Sequence, residues 1–262
     1  MLKTNINTMK KIFMVAIASI AMMSCSKNTD IQIPSTVIQR PNAYIKAPPI
    51  SVQNSSVVDS GIIAKFLFRN NLVDSTVYRN DGITKNASFG VDRFNQDNES
   101  FYSNNGYMES NKIPFNISKN YTITLWVKMI GFTEGNALLE LNKDKRYDGN
   151  PIVWMSKDSI YLAQCNKSNN KILISDIPSM LNKWVNVTWT LYDGITTLYV
   201  DGKVVGASNF VYPDYTGITL TLGNAGNDGS PYRSQPSDAY LDDVKIYNRV
   251  LTESEIIEIS KN

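Results

Sequence analysis

Histidine is absent from this sequence of 262 residues, and cysteine occurs only at positions 25 and 165. Without histidine, the chain cannot build a Ser-His-Asp triad, a Cys-His nucleophile pair or a histidine metal site. Those classes of hydrolase and metalloprotein are therefore excluded.

Strong net charge is also lacking. The chain has 26 basic and 24 acidic residues, and three of the basic ones, Lys3, Lys10 and Lys11, lie in the N-terminal leader, which leaves 23. A near-neutral balance argues against nucleic acid, or any anionic polymer, as a bulk electrostatic partner.

The apolar run at residues 12–23 is too short for a membrane-spanning helix, which needs about 20 apolar residues. Because it follows Lys10-Lys11, it fits the apolar region of a signal peptide. Ser24-Cys25 and a polar segment come next, and this order resembles a bacterial lipobox. Residues 1–24 are thus predicted to be a lipoprotein signal peptide, and the alternative is an ordinary cleaved signal with an incidental cysteine.

The lipobox resemblance implies cleavage before Cys25, diacylglycerol on its sulfur and acylation of the new amino terminus. Several acyl chains anchor a protein stably where one does not. A lipidated Cys25 leaves Cys165 as the only free thiol and excludes an intradomain disulfide. We therefore expect a lipoprotein held at a membrane of the bacterial cell envelope, facing the periplasm or the cell exterior.

Residues 25–60 contain four prolines and little apolar periodicity, which predicts a lipid-anchored flexible tether. The alternative is a short strand at residues 43–45 packed on the body. Residues 61–262 are long enough for one large β domain.

Residues 122–128 alternate strictly, and place Ile123, Leu125 and Val127 on one face of a predicted strand. The opposite face carries Thr122, Thr124, Trp126 and Lys128. Further strands are predicted at residues 62–68, 137–141, 152–155, 160–163, 172–174, 184–191, 196–200, 218–222 and 240–246.

Asp193-Gly194 and Asp201-Gly202 separate alternating segments and are typical of type I′ hairpin turns. Residues 184–206 are therefore predicted to form a three-stranded meander. Many short strands with regular turns predict an all-β fold, a two-sheet antiparallel β-sandwich or jelly roll. Thr252 and Glu255 form a capping box, which predicts one short C-terminal helix with its glutamates near the N-terminal dipole or in solvent.

Five blocks resemble the concanavalin A-like, laminin-G-like jelly-roll family. Residues 66–75 with 80–82 resemble its first strand and turn, and residues 92–94 with 101–108 resemble the following pair of strands. The other three blocks are residues 121–128, 184–202 and 240–251. The resemblance covers nearly the whole body and implies first and last strands that lie side by side. Val77 stands where the first turn usually has glycine, and Asn186 replaces a frequent histidine.

The family includes glycan-binding modules, protein-binding modules and appendages of glycosidases, and of these we expect a non-catalytic, lectin-like module that binds a glycan or envelope polysaccharide. Two alternatives remain. One is an adhesive or assembly module that binds a protein, and the other is a glycoside hydrolase. The paired-carboxylate motifs of related hydrolases are not found on a central strand. Glu140 and Asp144 have the right chemistry, but the polar residues around them are typical of a loop.

Calcium is the expected cofactor, because hard cations bind carboxylate and amide oxygens. The candidate ligands are Asp74 and Asn80 in the first turn, with Asp242 or Asp243 in the last strand. The alternative is that Asp74 caps its own turn and that one of the paired aspartates faces solvent.

Aromatic and planar polar side chains in loops are candidates for sugar binding. The predicted ligand-binding residues are Tyr212, Tyr215, Tyr232 and Arg233, with Trp154 ambiguous. Three other tryptophans, Trp126, Trp184 and Trp189, are expected to pack in or on the sandwich.

Overall fold

The computed structural model describes residues 58–86, 88–104, 106–132, 136–143, 150–165, 171–176, 179–225 and 236–262. The leader, Cys25 and most of the predicted tether lie outside these ranges. The strands are β1 (Ile62–Phe66), β2 (Gly82–Lys85), β3 (Ser88–Gly90), β4 (Ser100–Tyr102), β5 (Tyr107–Ser110), β6 (Tyr121–Gly131), β7 (Ala137–Asn142), β8 (Asn150–Met155), β9 (Ser159–Cys165), β10 (Lys171–Asp176), β11 (Trp184–Tyr192), β12 (Ile195–Val200), β13 (Lys203–Asn209), β14 (Thr219–Leu222) and β15 (Asp238–Tyr247). A helix, α1 (Glu253–Ile259), follows them.

The strands form two antiparallel sheets. The first sheet has the order β13-β12-β11-β6-β15-β4-β3, and β1 also pairs with β15. The second sheet has the order β10-β9-β8-β7-β14-β5-β2. The predicted fold class, a two-sheet β-sandwich with one short C-terminal helix, is confirmed.

The alternation predicted for β6 is present in the structure. Ile123, Leu125 and Val127 are fully buried and belong to the main core between the sheets. On the opposite face, Trp126 and Lys128 are half-buried. Thus the period of two in the sequence decides which side chains of this central strand meet the core.

The predicted meander is β11, β12 and β13. Asp193 and Gly194 have φ of 50° and 76°, and Asp201 and Gly202 have φ of 48° and 74°. Positive φ at both central residues is the condition for a type I′ turn, and glycine accepts it without steric cost. Trp184 lies at the other end of β11, where this strand pairs with β6.

The first and last strands lie side by side, as the family resemblance implied. Phe66 of β1 is opposite Val244 of β15. The pairing of β15 with β6 shifts register between Asp242 and Lys245, and Asp243 has φ of 46°. A bulge of this kind bends a strand and re-aims its side chains. It brings both Asp242 and Asp243 towards Arg93.

The capping box of α1 is present, with Thr252 Oγ1 accepting from the Glu255 N–H and the Glu255 carboxylate accepting from the Thr252 N–H. Glu255 also pairs with Arg249 at 2.6 Å, so its role is wider than an interaction with the helix dipole. Within the described ranges no helix is long and apolar enough to cross a bilayer.

Two expectations about the early strands need correction. Residues 92–94 form a turn rather than a strand, because Asp92 Oδ1 accepts from the N–H groups of Phe94 and Gln96. Residues 101–108 divide between β4 and β5, which belong to different sheets. The departure at position 77 is tolerated, since Val77 is 91% exposed.

Candidate functional site

Four side chains form a row across the outer face of the first sheet. Trp184 lies opposite Lys128, Lys128 opposite Tyr240, and Tyr240 opposite Tyr102. We call Trp184, Lys128, Tyr240 and Tyr102 the aromatic row. Their chain neighbours Val185, Val127, Leu241 and Phe101 are buried in the core. Because side chains alternate along a strand, the four members point away from the core.

The members of the aromatic row contact one another closely. The rings of Tyr102 and Tyr240 stack at 4.4 Å between centroids, and Trp184 lies 6.4 Å from Tyr240. The Lys128 ammonium lies 5.6 Å from the Trp184 ring and 5.0 Å from the Tyr240 ring. All four side chains are half-buried. At the usual spacing between strands, the row extends about 14 Å from β11 to β4.

Neighbouring residues hold the row in place. A Cβ at Gly90 would lie 2.2 Å from Cε1 of Tyr240, so glycine in β3 leaves room for that ring. The Tyr102 hydroxyl donates to Asp238 Oδ1 at 3.0 Å. Burial, and then this hydrogen bond to a carboxylate, raise the pKa of Tyr102, which stays protonated as a donor.

Arg93 forms a second cluster beside the row on the same face. Its guanidinium binds Asp242, and it binds Asp243 Oδ2 at 2.5 Å. Its carbon Cζ lies 4.4 Å from the Phe94 ring and 5.0 Å from the Trp126 ring. Planar guanidinium groups suit both interactions. Arg93 therefore joins the turn before β4 to the bulge in β15.

Asp242 is the perturbed carboxyl of this cluster. Burial, and then the negative charge of Asp243, raise the pKa of Asp242 to about 7, although the Arg93 cation opposes them. The side chain of Asp242 is only 5% exposed. A carboxyl with a pKa in this range changes between its protonated and ionised forms near neutral pH.

Asp74 and Asn80 are brought together, but as a hydrogen-bonded turn. Asp74 Oδ1 accepts from the N–H groups of Lys65 and Thr76. Asp74 Oδ2 accepts from the Thr76 hydroxyl and from both the backbone and the side-chain nitrogens of Asn80. Burial would raise the pKa of Asp74, but the backbone hydrogen bonds outweigh it and lower the pKa.

This donor set does not fit a calcium ion. Both oxygens of Asp74 already accept hydrogen bonds, and Asp242 and Asp243 are bound by Arg93 rather than turned to Asp74. Among the described residues, no group of three or more Asp, Glu, Cys or His side chains could hold a metal ion. The turn-capping alternative describes the role of Asp74 here.

The structure corrects the ligand-binding role predicted for Tyr212, whereas that of Tyr215 stays a prediction. Tyr212 is 5% exposed and stacks on Phe210 in the main core. Tyr215 is partly buried and packs against the same core. The loop after β13 folds into the sandwich, so its aromatic rings stabilise the fold. Tyr232 and Arg233 lie outside the described residues.

Trp154 and Glu140 are both found in the second sheet. Trp154 is 4% exposed and packs with Ala137, Ile152 and other small apolar residues in a separate cluster. Glu140 lies within β7, not in a loop, and it is buried and accepts from Asn150 Nδ2 at 3.0 Å. Asp144 lies outside the described residues. Trp189 is fully buried in the core, as expected.

The aromatic row was not predicted, although part of its signal is visible. The alternation of β6 had placed Lys128 and Trp126 on the face away from Ile123. The row as a whole depends on register between four strands that are distant in the chain. Chemically, aromatic rings with one cation and hydroxyl and carboxylate groups can bind a ligand that has both apolar faces and polar substituents.

Comparisons with solved structures show the same fold in longer chains. The chain is similar to a botulinum neurotoxin type C structure, with a TM-score of 0.62, 14% identity and coverage of 79% of this chain and 52% of that one. It is also similar to the botulinum neurotoxin serotype G binding domain, with a TM-score of 0.58, 15% identity and coverage of 76% and 50%. The chain thus spans about half the length of these structures, and such identities show the fold alone.

No curated protein sequence matches the chain. A protein-family model, described as the concanavalin A-like lectin/glucanases superfamily, matches residues 102–257. That match extends from β4 to α1 and includes the aromatic row. The chain belongs to the concanavalin A-like lectin/glucanase superfamily.

Proposed function

We propose that this protein is a lipid-anchored, lectin-like module that binds a glycan at the bacterial cell envelope through the aromatic row. The observation that carries the proposal is a set of aromatic rings, Trp184, Tyr240 and Tyr102, on the solvent face of the first sheet. None of these rings belongs to the main core. Half-exposed aromatic rings offer apolar surface to the faces of sugar rings.

The polar groups around the rings suit the hydroxyls of a sugar. Asp238 can accept hydrogen bonds from hydroxyls, and the Lys128 ammonium can donate to them. A row about 14 Å long can contact more than one sugar unit. The surface is mixed polar and aromatic, whereas a flat apolar patch would favour a protein partner.

Two structural neighbours are described as interacting with a glycan. The binding domain of botulinum neurotoxin DC forms a complex with SialylT, and cell entry of type C depends on two ganglioside molecules. The same DC binding domain forms a complex with rat synaptotagmin II, a protein. These precedents support a binding role for the fold, and the aromatic row favours the glycan. The anchor in the proposal comes from the lipobox-like segment ending at Cys25.

The test is a glycan array probed with the full chain and with Trp184→Ala. A ligand stacked on Trp184 should lose about 10-fold or more in affinity when that ring is removed, as buried aromatic anchors commonly do. Tyr78→Ala serves as the control, because Tyr78 is a 49% exposed aromatic residue outside the row. An array without any bound glycan, or binding that survives Trp184→Ala unchanged, contradicts the proposal.

A further inference from the structure

Lys128 occupies the centre of the aromatic row. Its ammonium lies between the Trp184 ring, at 5.6 Å, and the Tyr240 ring, at 5.0 Å. In the part of the chain that the structure describes, no carboxylate lies within ion-pairing distance of this ammonium. Within the described residues, this half-buried cation is therefore held by the two rings.

Contact with two rings orients a lysine without neutralising it. The attraction between a cation and an aromatic face fixes the position of the ammonium. The group keeps three N–H donors and its full charge for an incoming anion. A sugar stacked on the rings would exclude water from this point, and a charge pair is stronger where water is excluded.

Four charged groups beside the row are already engaged. Arg93 is bound by Asp242 and Asp243, and Asp238 accepts from the Tyr102 hydroxyl. Asp238 is the acidic neighbour of the row, and it stands towards β4, while the ammonium stands over Trp184 and Tyr240. The two charges therefore lie at different points of the row. The Lys128 ammonium is at the centre, and the acceptor Asp238 lies towards the β4 end.

We infer that the glycan bound by this module is acidic, and that Lys128 binds the carboxylate of a uronic acid or a similar acidic sugar. The inference rests on the proposed function of the aromatic row and names its ligand class. The chain as a whole is nearly neutral, with 26 basic and 24 acidic residues, so its overall charge would not attract an acidic glycan. One placed ammonium, rather than a basic surface, would recognise one carboxylate.

The experiment compares oligosaccharides that differ only in the charge of the carboxyl group. The probes are oligogalacturonate, oligomannuronate and hyaluronan fragments, each beside its methyl ester, titrated calorimetrically against the full chain. At least one acid form should bind about 10-fold more tightly than its ester, because a charged partner strengthens a hydrogen bond. Lys128→Met should lose this preference and bind the acid and the ester with equal affinity. Lys128→Arg, which keeps the charge, should retain most of the preference.

The outcomes separate the inference from the proposed function. Equal affinity for acid and ester, or a preference that survives in Lys128→Met, overturns the inference. Binding of neutral glycans alone also overturns it, while the aromatic row remains a glycan site if Trp184→Ala abolishes that binding. Failure to bind any glycan, charged or neutral, overturns both.

Discussion

Replacing Asp242 by asparagine should stabilise the protein increasingly as the pH rises from 4 to 7. The Asp242 side chain is 5% exposed, and Asp243 lies beside it. Asparagine has nearly the same shape but no charge, and its side-chain oxygen can still accept from the Asp243 N–H, as Asp242 does at 2.7 Å. Arg93 keeps Asp243 as a partner in this variant.

The magnitude follows from the pKa of Asp242. Folding raises it from an ordinary 3.8 to about 7, mainly because burial disfavours the charged form. Between these values the folded protein holds a proton that the unfolded chain has lost, so Asp242 makes the free energy of unfolding fall as pH rises. At 1.36 kcal/mol per pH unit, the loss is about 4 kcal/mol, complete above pH 7 and absent below pH 4.

The assay is urea unfolding of the parent and Asp242→Asn from pH 4 to 8. The difference in unfolding free energy should be small at pH 4 and should grow towards about 4 kcal/mol in favour of the variant by pH 8. Taking the difference removes contributions shared by both proteins, such as that of Asp74. A constant difference across this range, or one that grows in favour of the parent, would refute the assignment of a buried carboxyl with a raised pKa at Asp242.

Three further predictions concern the turn, the row and the anchor. Asp74→Ala should lower the unfolding free energy by about 3 kcal/mol, because three backbone N–H groups lose their acceptor. The parent should melt at the same temperature in calcium and in chelator, and a higher melting temperature in calcium would support the metal site after all. Gly90→Ala should weaken glycan binding several-fold by displacing Tyr240, whereas Tyr78→Ala, at an exposed aromatic residue outside the row, should not; equal effects would contradict the packing. Cys25→Ser should move the protein from the detergent fraction to the soluble fraction, and unchanged partitioning would contradict the lipid anchor.

Local chemistry made much of the fold predictable. The Asp-Gly pairs at 193–194 and 201–202 force hairpins, and the alternation of β6 assigns its core face. The capping box at Thr252 defines the start of α1. Each of these signals acts within a few residues, so one sequence is enough to show it. The short strands β2 and β3 have weak patterns, because an edge strand such as β2 buries little.

The site was less predictable, because it depends on contacts between distant segments. Tyr102 and Tyr240 stack only because β4 pairs with β15, and no local pattern reports that register. The error at Tyr212 has a related cause, since an aromatic loop can fold into the core as well as face a ligand. Asp74 differs, because its partners at Thr76 and Asn80 are close in sequence, and the turn-capping alternative was open from the start.

The most direct test of the aromatic row is fluorine NMR of the full chain labelled with fluorotryptophan and titrated with the glycan it binds. The chain has four tryptophans, so four signals are expected, and Trp→Phe variants assign them. Trp184 lies in the row, whereas Trp189 is buried in the core and Trp154 lies in the second sheet. The Trp184 signal should shift with the titration while the Trp189 and Trp154 signals remain unchanged. A titration that shifts the Trp154 signal and leaves the Trp184 signal unchanged would place the glycan on the opposite sheet and contradict a glycan site at the aromatic row.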